Sequence, residues 1–184
     1  ILHLYREEYV AEADICMTSN TFMFPETKEV LTTLKQNGAK LGIISTKYKY
    51  RIEQFLDLHF PKNFFDIIIG IGEVDRYKPH PDGIHKAIKY LKSKRNEVIY
   101  IGDSTVDAQA AERANVDFIG VTHGVTTIQE LAHFKNVTIV PDLTPIISLS
   151  SKRDLKKYLR RRRVDSIKRY FQFRKHVGYT KKID

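Results

Sequence analysis

Val98-Ile99-Tyr100-Ile101-Gly102-Asp103-Ser104-Thr105-Val106-Asp107 reads as a buried strand that ends in Gly and then places two carboxylates, four residues apart, at a helix start. Carboxylates at i and i+4 share a helix face. Two acids brought together repel unless a cation sits between them, and Mg²⁺ is usually held by one or two carboxylates plus the oxygens of a phosphate. The stretch therefore predicts a hard-metal site on an α/β scaffold. The plainer reading makes Asp103 a helix cap and leaves Asp107 exposed. Gly102 speaks against it, because a strand-end glycine lets the backbone approach a ligand closely.

Working outward, short apolar runs alternate with helix-period segments. Lys40–Ser45, Phe65–Ile71, Glu97–Ile101, Asp117–Val121 and Val137–Val140 are rich in β-branched residues and bounded by Gly, Asp or Asn, as buried parallel strands are. Helical periodicity occupies 26–38, 47–58, 81–93, 104–115 and 126–134, with Pro25 before the first helix, Gly38 after it and Pro81-Asp82 opening the third. Strand followed by helix, repeated, predicts a parallel sheet covered on both faces.

Ligands of such sheets lie beyond the carboxyl ends of the strands, so the residues leaving each strand belong together. Ser45 and Thr46 follow the first strand and open a helix. The free amides and positive end of a helix favour phosphate, although Ser and Thr at such a place also serve simply as N-caps. Tyr77-Lys78-Pro79-His80-Pro81 follows the second strand. Its prolines stiffen the loop, which suits Lys78 to present a fixed cation; the alternative is a solvated lysine. Asp103 and Asp107 follow the third strand.

Taken in order, GIIST at 42–46, YKPHPD at 77–82 and IYIGDSTVDAQAA at 99–111 resemble motifs two, three and four of the haloacid dehalogenase (HAD) superfamily. The similarity covers most of 1–150. FPETKEVLTTLKQNG at 24–38, Lys47 and Arg51 resemble the phosphoglycolate phosphatase and β-phosphoglucomutase branch. The resemblance implies a three-layer Rossmann-like α/β core over 25–150, with 1–24 as the remnant of a helical cap. It also implies a Mg²⁺-dependent phosphate monoester hydrolase acting on a small phosphorylated metabolite through an aspartyl-phosphate. In such a hydrolase Ser45, with Thr46 second, would hydrogen-bond the phosphoryl group; Lys78 would neutralise nucleophile and phosphate; Asp103 and Asp107 would hold Mg²⁺.

The family places its nucleophile in a D-x-D motif on a central strand, and no D-x-D occurs in 1–184. Glu12-Ala13-Asp14 lies in a helical pattern, and a helix cannot aim both carboxylates as a strand end does. The strand that would carry the motif belongs between those ending at Ser45 and Gly102, so the expectation is a sheet without its middle and a chain inactive by the family mechanism. With Ile1 in place of Met, this points to an N-terminally incomplete phosphatase.

Charge marks a second boundary. Residues 151–184 hold fourteen Lys/Arg and three Asp, net +11, whereas 1–150 holds 17 basic and 19 acidic residues. Leu155, Tyr158, Leu159, Val164, Ile167, Tyr170 and Phe171 recur near helical spacing around Arg160-Arg161-Arg162-Arg163. This basic C-terminal extension suits nucleic acid, an anionic membrane surface or an acidic protein, so a non-catalytic HAD-like module that binds an anionic partner is the alternative function. A docked, solvated helix is the plain reading. One cysteine, Cys16, excludes an internal disulfide framework and points to the cytoplasm. Gly70-Ile71-Gly72 lacks the third Gly of a dinucleotide fingerprint, and the seven His show no zinc-like spacing.

Overall fold

The computed structural model describes residues 20–134 and 137–147. The proposed cap remnant, including Cys16 and Glu12-Ala13-Asp14, lies almost wholly outside them, and so does the basic extension. The elements run α1 (Thr27–Gln36), β1 (Gly42–Ile44), α2 (Lys49–Asp57), β2 (Ile67–Ile69), α3 (Asp82–Tyr90), a 3₁₀ turn (Arg95–Glu97), β3 (Ile99–Gly102), α4 (Thr105–Ala114), β4 (Asp117–Val121), α5 (Ile128–Leu131), β5 (Val137–Val140) and α6 (Thr144–Ile147). Every strand pairing is parallel.

Each expected strand is present, though β1 and β2 shrink to three residues. The expected fifth helix, 126–134, keeps only Ile128–Leu131. Thr127 begins it through a capping box with Glu130, its hydroxyl oxygen accepting from the Glu130 N–H while the Glu130 carboxylate accepts from the Thr127 N–H at 2.8 Å. α6 and the 3₁₀ turn are additions that periodicity did not announce. α1 ends as expected: Gly38 takes φ +82°, and Ala39 N–H donates to the Leu34 carbonyl at 3.0 Å.

The described strands form two groups, β1–β2 and β3–β4–β5. Within the described residues no strand bridges β1 and β3. Two apolar cores flank the larger group. On one side Phe118 packs with Ile84, Leu131 and the α4 residues Ala108, Ala111 and Ala114; on the other, Ile119 and Val121 pack with Val30, Val140 and Ile146. Phe118 and Ile119 face opposite ways because side chains alternate along a strand. The alanines let α4 approach the sheet closely. By contrast, Ile101 of β3 remains 36% exposed while its β4 partner Ile119 is 0% exposed. Burial thus thins at β3, the end strand of its group.

Asp66 joins α1 to the smaller group. Its carboxylate accepts from Lys35 Nζ at 2.6 Å and from the Leu41 N–H at 2.7 Å. Burial pushes its pKa upward, but the Lys35 and Leu41 hydrogen bonds and the charges of Lys35 and Lys40 outweigh it, leaving the carboxyl below its ordinary 3.8. A carboxylate depressed in the native state adds stability above its unfolded pKa and loses it as pH falls through the native one. Asp66→Asn should therefore cost about 1 kcal/mol at pH 7, and the difference from the parent should shrink as pH falls from 3.8 through the lower native pKa in urea titrations. A difference that persists at low pH would show that the charge is not responsible.

Candidate functional site

Three loops leave the carboxyl ends of β1, β2 and β3 and meet. After β1, the Ser45 N–H still donates to the Ile69 carbonyl at 2.9 Å, and the Ser45 hydroxyl accepts from the Lys47 N–H at 3.1 Å. Helix α2 begins later, with Tyr48 in the N-cap position and no side-chain cap. Neither Ser45 nor Thr46 is therefore the N-cap, which removes the plainer reading of both.

After β2, the loop carrying Lys78 is braced from several directions. The Arg76 guanidinium spans both carboxylate oxygens of Asp82 at 3.0 Å, Arg113 donates to the Pro79 carbonyl at 2.9 Å, and the His80 N–H donates to the Tyr77 carbonyl at 2.9 Å. The Arg76 hydrogen bond also holds the Asp82 carboxyl below its usual range. Prolines alone suggested stiffness; these contacts aim the loop. Ser45, Thr46 and Lys78 line one small recess of about 10 Å³ together with Ile44, Tyr77 and Gly83.

After β3, the structure separates the two aspartates. Ser104 is the N-cap of α4, its hydroxyl oxygen accepting from the Asp107 N–H at 3.2 Å. Asp103 precedes the cap, so the expectation that it shares a helix face with Asp107 is not met: the i,i+4 rule applies only within the helix. Asp103 is exposed and Asp107 is 4% exposed. The Asp107 Oδ1 accepts from Lys78 Nζ at 2.7 Å and from the Tyr100 hydroxyl at 3.1 Å, while Oδ2 accepts from the Ser104 hydroxyl at 2.5 Å. The space beside Gly102 is filled by this side chain, since an added Cβ would lie 2.5 Å from the Asp107 Cβ and 2.6 Å from its Cγ.

The sequence reading missed Tyr100 and Ser104. Strand alternation sets Tyr100 apart from Ile99 and Ile101, and Ser three residues before an acid is a capping signature. Burial, and then the Asp107 charge, push the Tyr100 hydroxyl far above its ordinary pKa. The loop after β4 was missed as well. An added Cβ on Gly124 would collide with Asp103 Oδ2, and His123 stacks on Phe24 at 3.9 Å while its Nε2 lies 3.3 Å from Glu26 Oε1.

A larger cavity of about 520 Å³ lies along the outer edge of β2, lined by Phe60, Phe64, Phe65, Glu53 and Lys86 among others. It contains none of Ser45, Thr46, Lys78, Asp103 or Asp107. Size alone would favour it, but the convergent charged groups lie at the strand ends.

These strand-end loops coincide with recognised relationships. Pyrophosphatase PpaX of Oceanobacillus iheyensis is 29% identical over 145 residues, covering 79% of this chain and 66% of that protein. The phosphoglycolate phosphatase of Colwellia psychrerythraea is 33% identical over 116 residues, covering 63% and 51%. The chain spans 51% to 66% of the length of such curated relatives. Among solved structures, a haloacid dehalogenase-like hydrolase from Bacteroides fragilis superposes with a TM-score of 0.74 at 50% identity, covering 79% of this chain and 69% of that one. A β-phosphoglucomutase from Thermotoga maritima, 18% identical with a TM-score of 0.69 and covering 81% and 69%, shares the fold. The family model for haloacid dehalogenase-like hydrolases matches residues 2–121, a span that takes in all three loops, and this chain belongs to that family.

Proposed function

We propose that the strand-end loops form the phosphate- and metal-binding part of a phosphohydrolase that acts through an aspartyl-phosphate in the cytoplasm on a small phosphorylated metabolite, a phosphate monoester such as phosphoglycolate or, as a second candidate, the anhydride pyrophosphate. The observation that carries this reading is the convergence of Ser45, Thr46 and the ion-paired Lys78 on one recess, with Asp107 joined to Lys78 across 29 positions of sequence. In this reading the Ser45 hydroxyl donates to a phosphoryl oxygen, with Thr46 as its understudy. Lys78 spends one N–H on Asp107 and keeps two for the phosphate and the attacking carboxylate.

No cluster of three or more His, Cys, Asp or Glu exists among the described residues. Mg²⁺ does not need one, because it keeps water and completes its shell with substrate oxygens. Asp103 fits, being exposed and set against Gly124, where only a residue without a side chain leaves room for its carboxylate. Asp107 already accepts from three donors, two on Oδ1 and one on Oδ2, so its first duty is to anchor Lys78, and a lone pair of Oδ2 is what it could offer a metal. When bound, Mg²⁺ would supply charge neutralisation for phosphoryl transfer. No D-x-D occurs in 1–184, so the chain by itself should not hydrolyse esters by this route. Asp103→Asn should lower Mg²⁺ affinity at least about tenfold, measured by titration calorimetry with inorganic phosphate present. Unaltered affinity would remove Asp103 from the metal site.

A second reading rests on the net +11 of residues 151–184: a non-catalytic module that binds an anionic partner through that segment. Retention on heparin that survives deletion of 151–184 would end it.

A further inference from the structure

We propose that Tyr100 is a positioning residue of this site, its hydroxyl fixing the Asp107 carboxylate so that the carboxylate in turn holds the Lys78 ammonium in one place. The inference rests on the reading of Lys78 as a phosphate-facing cation.

Lys78 and Tyr100 converge on the same oxygen, Oδ1, at 2.7 and 3.1 Å, while Ser104 holds Oδ2. The three donors differ in stiffness. A lysine has four flexible torsions and loses substantial rotamer entropy when held. Tyr100 has two torsions, sits on β3 and stacks on the buried Phe118 at 6.3 Å and 29°. Ser104 is locked in the α4 cap. Two rigid donors therefore define the plane of the carboxylate, one on each oxygen, and the flexible ammonium follows it. Without the phenol hydroxyl, Oδ1 is held by Lys78 alone. The carboxylate can then turn about the axis to Ser104 and carry the ammonium with it. Shifts of this kind, about an ångström in a catalytic group, cost up to about a hundredfold in rate.

Two measurements on the chain test this. With ¹³Cζ-labelled tyrosine in mixed H₂O and D₂O, a buried, hydrogen-bonded Tyr100 hydroxyl should exchange slowly enough to give two resolved Cζ signals; one averaged signal would overturn the proposal whether or not any variant folds. In Tyr100→Phe, hydrogen exchange of the Lys78 ammonium should accelerate at least about fivefold, as a loosened ion pair requires. An unchanged exchange rate in a folded variant would also overturn it, since a residue that merely fills the core would lower the melting temperature without touching Lys78. In a polypeptide supplied with a D-x-D strand, the same substitution should lower kcat about tenfold with KM for phosphoglycolate within about twofold, and an unchanged kcat would overturn positioning. If that polypeptide hydrolyses nothing while both exchange signatures are present, the phosphatase reading fails and the anchoring stands.

Discussion

Lys78→Met is expected to destabilise the protein by about 3 to 5 kcal/mol, the usual result of removing one member of a buried ion pair. Asp107 is 6% exposed at its side chain, so its charge has little access to water, and Lys78, at 18%, is its one charged partner among the described residues. Methionine roughly matches the aliphatic stem and leaves the carboxylate with only two neutral donors, Tyr100 and Ser104. Urea unfolding at pH 7 measures the loss. The double variant Lys78→Met with Asp107→Asn should recover much of it, because the uncompensated charge is then gone. A single variant that loses less than about 1 kcal/mol would mean that water reaches the pair and that it behaves as a surface contact.

Gly102→Ala should be nearly as costly, at least about 3 kcal/mol, because overpacking is combined here with damage to the ion pair. Its new Cβ would lie 2.5 to 2.8 Å from the Cβ, Cγ and Oδ2 of Asp107. The intruding atom belongs to β3, paired in register with β4 through Gly102 and Gly120, so the strand cannot simply retreat. Asp107 cannot retreat easily either, being fixed by Lys78, Tyr100 and Ser104. Something in the network must break. Equilibrium unfolding reads the cost, and loss of the Tyr100 hydroxyl signal would report that the network is what gave way. A variant as stable as the parent would show that Asp107 has an alternative position.

The five parallel strands and the helices between them were legible because β-branched runs and helical periodicity rarely conflict in this chain. The motif residues were legible because each follows a strand. What remained hidden was tertiary. Asp103 and Asp107 looked like a matched pair, yet Ser104 caps the helix and only Asp107 lies within it, which spacing alone does not show. Tyr100 looked like a core residue because a strand pattern does not show which buried side chain meets an acid from the next helix. Gly102 was read as a place where a ligand comes close, and the group that lies against it is the chain's own Asp107. Ile101 was read as part of a buried strand, and its exposure goes with the place of β3 at the end of its group.

The edge of β3 that has no partner among the described strands is also where the central claim is most directly tested. A polypeptide carrying a β-strand with D-x-D ahead of residue 1 should release inorganic phosphate from phosphoglycolate or pyrophosphate in the presence of Mg²⁺, at least about 10³-fold faster than the present chain. Replacing the first aspartate of that motif with asparagine should abolish the release. No release in a folded polypeptide, or release indifferent to that aspartate, would contradict the account.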